Sequence, residues 1–199
     1  MSRNIYPKNR LSRREGLDLF GKGNKLRRAT QPPGQHGAKG FPRSTGFGLQ
    51  LREKQKTKRI YGIIERQFRG YFDKALKVKG KTGVALLRLL ETRLDNVVFR
   101  LGFASTRNMA RQLVSHGHIV VNGKKVNIPS YQVSVGETIA LSDTAINIPH
   151  VKALLENPEF HAPAWLERQA QTGKVMTLPA RTDVDSPINE QLIVEFYSR

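Results

Sequence analysis

Two spaced rows of apolar residues organise the middle of the chain. Ile60, Ile64, Phe68, Phe72 and Leu76 recur every four positions, and Leu86, Leu90, Leu94, Val97 and Leu101 recur at steps of four, four, three and four. Both spacings gather apolar side chains on one face of a helix. The first row predicts helix within residues 49–82, with Gly62 a candidate break into two. The second predicts one helix over residues 83–101, ended by Gly102 as a C-terminal cap. Ser105 or Thr106 is a good N-cap for a further helix to His116, with Met109, Ala110, Leu113 and Val114 on its apolar side. Gly117 stops that helix. Ile119, Val120 and Val121 then read as a short strand, and Asn122-Gly123 as a type I′ hairpin turn, which needs positive φ at both central residues. Val135-Gly136-Glu137 reads as a second turn and Thr138–Leu141 as a further strand. Leu192–Tyr197 reads as a strand that packs back on the helical part.

These elements predict an α+β protein. Residues 1–48, with Gly21-Lys22-Gly23-Asn24-Lys25 and Pro32-Pro33-Gly34-Gln35-His36-Gly37, read as a basic, irregular, loop-rich arm, ordered against a partner. Residues 49–90 form a helical domain. Residues 91–145 form a unit of helices and a small antiparallel sheet. Residues 146–199 return to the helical domain.

Charge adds a partner to this outline. The 199 residues carry a formal net charge of +18. Residues 1–130 hold 29 Lys and Arg against 7 Asp and Glu, while residues 131–199 hold 5 against 9. A positive block of this size repels itself and is tolerated when a polyanion neutralises it. Nucleic acid does so through phosphate contacts that release counterions. A membrane is disfavoured, because no apolar run approaches the roughly 20 residues that span a bilayer, and Met1–Leu11 has no apolar signal-peptide core. The absence of cysteine excludes disulfides, thiolate zinc sites and cysteine nucleophiles, and suits a cytoplasmic protein.

The candidate RNA ligands follow from that block. Arg107 and Arg111 lie one helical turn apart and project together. With Arg93, His116, His118 and Lys124 they form the basic side of the 91–145 unit, and Lys125 reinforces its rim. Arg52, Lys54, Lys56, Arg59, Arg66 and Arg69 crowd the helical domain, and His36 lies in the arm. Arg66 or Arg69 could instead pair with Glu65 or Asp73. Phe68 and Phe72 sit on the apolar stripe and read as core, not as stacking platforms.

Enzyme signals fail. Gly80-Lys81-Thr82 looks like the end of a P-loop, but residue 75 is alanine where the first glycine belongs, and no strand precedes it. His116 and His118 have no acidic or cysteine companions at metal spacing. Glu91 and Asp95 read as an ordinary helix-surface pair, not a general acid/base site. No cofactor or metal is expected.

The residues that carry this reading also resemble a family. LETRLDNVVFRLGFASTRNMARQLVSHGHIVVNGKKV resembles the S-four (αL) RNA-binding domain. LSRREGLDLFGKG, PPGQHG, LREKQKTKRIYGIIERQFRGYF and INEQLIVEFYSR resemble the remainder of the bacterial small-subunit ribosomal S-four family. The resemblance implies a structural, non-enzymatic ribosomal component. It implies a primary binder of small-subunit rRNA that grips a helical junction in the 5′ domain and nucleates assembly of the subunit body. It also implies contact with ribosomal protein S-five, a functional link to S-twelve, a part in translational accuracy, and proximity to mRNA, for which Lys39 and Arg43 are the nearest candidates. Many relatives carry a zinc-binding cysteine cluster in the arm; this chain carries none, so rRNA contacts and local packing must hold it.

Two other classes share the domain. An RNA-modifying enzyme would need a large catalytic domain with a positioned Asp, and residues 142–199 are too few. A stand-alone RNA-binding regulator or rescue factor would lack LREKQK and the long basic arm.

Overall fold

A computed structural model describes residues 6–23, 31–41, 43–157, 160–184 and 187–199. The chain divides into two compact units, Met1–Gly83 with Ser186–Arg199, and Val84–Asp185. Of the C-terminal segment, residues 146–184 therefore lie in the second unit and residues 187–199 in the first.

The first unit is helical. α1 (Lys8–Glu15) lies inside the arm expected to be irregular, and it ends at Gly16 in the left-handed region, φ 67°. Leu11 and Ser12 on α1 are buried, so the arm has packing of its own. A short 3-10 turn spans Gly37–Lys39. α2 (Gly46–Ile60) starts where the Thr45 hydroxyl accepts the Gly48 N–H. α3 (Glu65–Leu76) follows the break at Gly62, whose φ is 63°. The apolar row is modified in detail. Ile63 is buried where Ile64 is only half-buried, and Tyr71 and Ala75 replace Leu76, which is 55% exposed.

The end of the chain corrects the sequence reading. Residues 192–197 are not a strand but part of α9 (Glu190–Tyr197), capped by the Asn189 side chain on the Gln191 N–H. A short apolar run such as Leu192-Ile193-Val194 fits a strand or a buried helix equally, and here the cap and the neighbours decide. Ile193 is fully buried, Phe196 meets Phe47 of α2 at 5.6 Å between ring centroids, and Tyr197 stacks on Phe72 at 4.6 Å.

The second unit packs helices on a sheet. α4 (Thr82–Glu91) and α5 (Leu94–Arg100) replace the single helix expected over residues 83–101. The break has a physical cause. Leu94 N–H donates to the Tyr131 carbonyl, Asp95 N–H to that of Pro129, and Val133 N–H to that of Thr92. Arg93 and Gln132 form a β-bridge. Backbone groups that would continue the helix are thus satisfied across space by residues 129–133. The apolar row survives the break, and Leu86, Leu90, Leu94, Val97 and Leu101 are all fully buried.

α6 (Arg107–Ser115) leads into the sheet of β1 (Ile119–Val121), β2 (Lys124–Lys125), β3 (Thr138–Leu141), β4 (Leu166–Gln169) and β5 (Thr172–Val175). Every pairing is antiparallel, and the order is β2-β1-β3-β5-β4. Two short helices, α7 (Asp143–Ile146) and α8 (Pro149–Leu155), connect β3 to the last hairpin. Val97, Val98, Leu101, Phe103, Ile119, Ile139 and Trp165 belong to one buried core of helix and sheet residues.

Candidate nucleic-acid interface

α6 and the β1–β2 hairpin position the basic residues of the second unit. The Thr106 hydroxyl caps α6 by accepting the Met109 N–H at 3.2 Å. At the other end Gly117 takes φ 71°, which lets the chain turn from helix into β1. A side chain at Gly117 would run into the stem of Lys125, so the lysine lies directly over the end of the helix. Cations are favoured there, because unsatisfied carbonyls give a helix C-terminus partial negative charge. The hairpin turn has Asn122 at φ 48° and Gly123 at φ 77°, the positive pair that a type I′ turn needs. The Asn122 side chain accepts the Thr138 N–H at 2.9 Å and ties the turn to β3. Lys124 and Lys125 are exposed, His116 is exposed, and the His116 and His118 rings are 6.2 Å apart. His118 Nδ1 is 3.5 Å from Thr144 Oγ1.

A buried polar layer at the start of α5 holds the arginines of α6. Arg93 has 1% of its surface exposed and forks onto Asp95, with Nε at 3.0 Å from Oδ1 and Nη2 at 2.7 Å from Oδ2. That removes Arg93 from the set of side chains that can meet RNA; its role is to hold Asp95. Arg111 reaches the same carboxylate, and Arg107 Nε donates to Asn96 Oδ1 at 2.7 Å while its guanidinium lies 4.6 Å over the Phe99 ring. The two α6 arginines do lie together, but both are oriented by α5. Glu91 and Asp95 are likewise not a surface pair. Both are buried, and Glu91 accepts from Asn96 and from Arg100. Asp95 and Asn96 are positioning residues that helix spacing alone does not reveal.

The first unit repeats this economy. Glu15 on α1 binds Arg59 and Arg52 of α2, and its side chain is 2% exposed. Burial raises the Glu15 carboxyl pKa against the pull of these arginines, and burial lowers that of Arg59. Lys54 is buried, bonded to Glu65 at 2.9 Å, and 4.3 Å over the Phe196 ring, so it too is a packing residue and not an RNA ligand. Lys56 pairs with Glu53 at 2.8 Å. Glu65 also accepts from Lys58 and from the Tyr197 hydroxyl. Burial alone would raise Glu65, but the bonds from Lys54, Tyr197 and Lys58 outweigh it and hold its pKa at about 2. Burial and the bond to Glu65 push the Tyr197 hydroxyl up. With Glu65 so occupied, Arg66 and Arg69 stand exposed on α3, as do His36, Lys39 and Arg43 in the arm.

A carboxylate shared by two cations leaves one positive charge over. This holds at Glu15, Glu65 and Asp95, so the basic residues are fixed in place without being neutralised. The arrangement suits shape-based recognition of A-form RNA, which runs mostly through phosphate and 2′-hydroxyl contacts. Among the described residues no three His, Asp or Glu side chains gather as a metal group. Gly80-Lys81-Thr82 follows α3, not a strand.

The comparisons with known proteins agree with this geometry. A family model described as "S4 domain" matches residues 92–139, which span α5, α6, β1, β2 and the start of β3. The fold and its basic rim define an RNA-binding protein built around an S4 domain. A second model, "Ribosomal protein S4/S9 N-terminal domain", matches residues 3–91. Small ribosomal subunit protein uS4 of Trichlorobacter lovleyi is 52% identical over 209 aligned positions covering all of both chains. That of Dictyoglomus turgidum is 53% identical over 208, again covering both fully, and uS4A of Clostridium botulinum is 54% identical over 199, covering 96% of each. The chain belongs to the uS4 family of small-subunit ribosomal proteins, a structural family and not an enzyme family.

Proposed function

We propose that this uS4 protein is a primary binder of small-subunit rRNA. It grips a helical junction in the 5′ domain and nucleates assembly of the subunit body. The observation that carries the reading is the exposed rim of His116, Lys124 and Lys125 around the end of α6, together with a buried layer that fixes Arg107 and Arg111 on the same helix. Arg66 and Arg69 on α3 and Arg52, Lys56 and Arg59 on α2 supply a second basic surface in the first unit. A junction presents phosphates from several helices at once, and Arg forks meet phosphate oxygens two at a time. His118 and His36 add contacts of the same kind. Ribosomal protein S-five is the neighbouring protein, with a functional link to S-twelve and an effect on translational accuracy. Lys39 and Arg43, both exposed, face mRNA.

The test is binding to a 5′-domain transcript across a salt series, with an unrelated structured RNA as competitor. Tight, competitor-resistant binding with a steep salt slope is expected. Equal binding to both RNAs would reduce the surface to a generic polyanion grip.

A further inference from the structure

The second unit holds a cleft of about 530 Å³ that the phosphate-binding reading does not use. Its size falls within the roughly 300–1,000 Å³ of small-molecule sites. The phenyl rings of Phe99 and Phe160 line it, together with the small side chains of Ala104 and Ala162, and Ser105 and Asp183 are among its polar groups.

The walls are built, not incidental. Gly102 has φ 72°, and a Cβ there would lie 2.7 Å from the Phe160 ring and 2.8 Å from Arg168 Nη1. Only glycine lets that ring settle so close. The Arg168 guanidinium lies 5.0 Å over Phe160 and 5.4 Å over Phe103, and it donates to the Leu101 carbonyl at 3.1 Å, which fixes the ring from behind. The polar groups are also held. Ser105 Oγ is 3.1 Å from His150 Nε2, and Asp183 Oδ2 accepts the Ala180 N–H at 2.7 Å. The Arg107 guanidinium, at the start of α6, lies 4.6 Å over the Phe99 ring that lines the cleft.

This combination fits one kind of ligand. Aromatic faces accept the flat face of a nucleobase, a carboxylate and a hydroxyl accept and donate at its edge, and the neighbouring arginine meets its phosphate. We propose that the cleft takes up a single unstacked nucleotide of RNA bound by the basic residues of this unit, Arg107 beside the cleft among them, an inference that rests on the RNA-binding reading above. Phosphate contacts would then set affinity, and the cleft would select a site with an unpaired base beside the helices.

The full-length protein is titrated with adenosine 5′-monophosphate, with ribose 5-phosphate as the base-free control. Trp165 is the only tryptophan, is buried, and follows Ala164 of the cleft wall, so its fluorescence reads occupancy. Saturable binding is expected for the nucleotide and at least tenfold weaker binding for ribose 5-phosphate. Ala162→Phe, which fills the cleft, is expected to abolish the signal change. Phe160→Leu keeps an apolar wall but loses the stacking face, and is expected to weaken binding at least fivefold; circular dichroism establishes that each variant is folded. Non-saturable binding, equal binding of ribose 5-phosphate, or nucleotide binding unchanged in a folded variant overturns the proposal. The rRNA reading fails separately, through Lys124→Glu and Lys125→Glu, which lie outside the cleft and are assayed on the rRNA transcript.

Discussion

Arg111 reaches Asp95 twice, with Nε at 2.9 Å and Nη2 at 2.7 Å from the same Oδ2. Asp95 is also the anchor of Arg93, so one buried carboxylate orients an arginine within the fold and another near its surface. Removing it would take the forked carboxylate from Arg93, a charge that is 1% exposed. Breaking a buried pair from one side costs about 3–5 kcal/mol. Asp95→Ala is therefore expected to lower unfolding stability by that amount in urea titration. Arg111→Ala removes the partly exposed partner and keeps the inner pair, so a loss below about 2 kcal/mol is expected. Equal losses in the two variants would show that Arg93 does not depend on Asp95.

The lysines of the hairpin make a different prediction, because they are exposed and touch no carboxylate in the described structure. Lys124→Ala and Lys125→Ala are expected to leave thermal stability within about 0.5 kcal/mol of the parent, as surface substitutions do. Each is expected to reduce the slope of log affinity for rRNA against log salt by about 0.7–0.9, the value of one phosphate contact. An unchanged slope for both would remove the hairpin from the interface.

Glu65 sets a pH dependence. Its folded pKa of about 2 lies below the ordinary carboxylate value of 4.5, so its contribution is present above pH 4.5 and is lost as pH falls towards 2. The Glu65 side chain is 45% exposed, so solvent screens much of the effect. The melting temperature is expected to fall between pH 4.5 and 2 more steeply in the parent than in Glu65→Gln, which cannot titrate. Parallel curves would mean that Lys54, Lys58 and Tyr197 do not favour the ionised form.

Where local chemistry decides an element, the sequence was a sufficient guide. Thr106 caps α6, Gly102 and Gly117 take positive φ, Asn122-Gly123 turns the hairpin, and Thr138–Leu141 is β3 with the expected bounds. The failures share a cause. The break after Glu91 is made by backbone bonds to residues 129–133, some forty positions away. The β4–β5 hairpin turns at Ala170, φ 48°, where no Asn or Gly announces it. The basic surface was legible as charge, but charge does not distinguish an exposed arginine from one paired indoors. Arg93 and Lys54 were separated from the interface by Asp95 and Glu65, contacts that only folding creates.

Gly117 joins the fold to the surface, and its substitution tests both. Gly117→Ala must hold a non-glycine residue at φ 71°, which costs about 1–2 kcal/mol. The new methyl group also meets the Lys125 stem, which is the flexible end of a side chain and can move aside at little further cost. The expected result is a modest loss of stability, measured by chemical denaturation, together with displacement of Lys125 from the end of α6. Affinity for rRNA should then fall to the level of Lys125→Ala. The double variant Gly117→Ala with Lys125→Ala should bind no more weakly than either single one, since both act through the same ammonium group. Additive losses of affinity in that cycle would mean that Gly117 serves the interface through the backbone turn itself and not by seating the lysine.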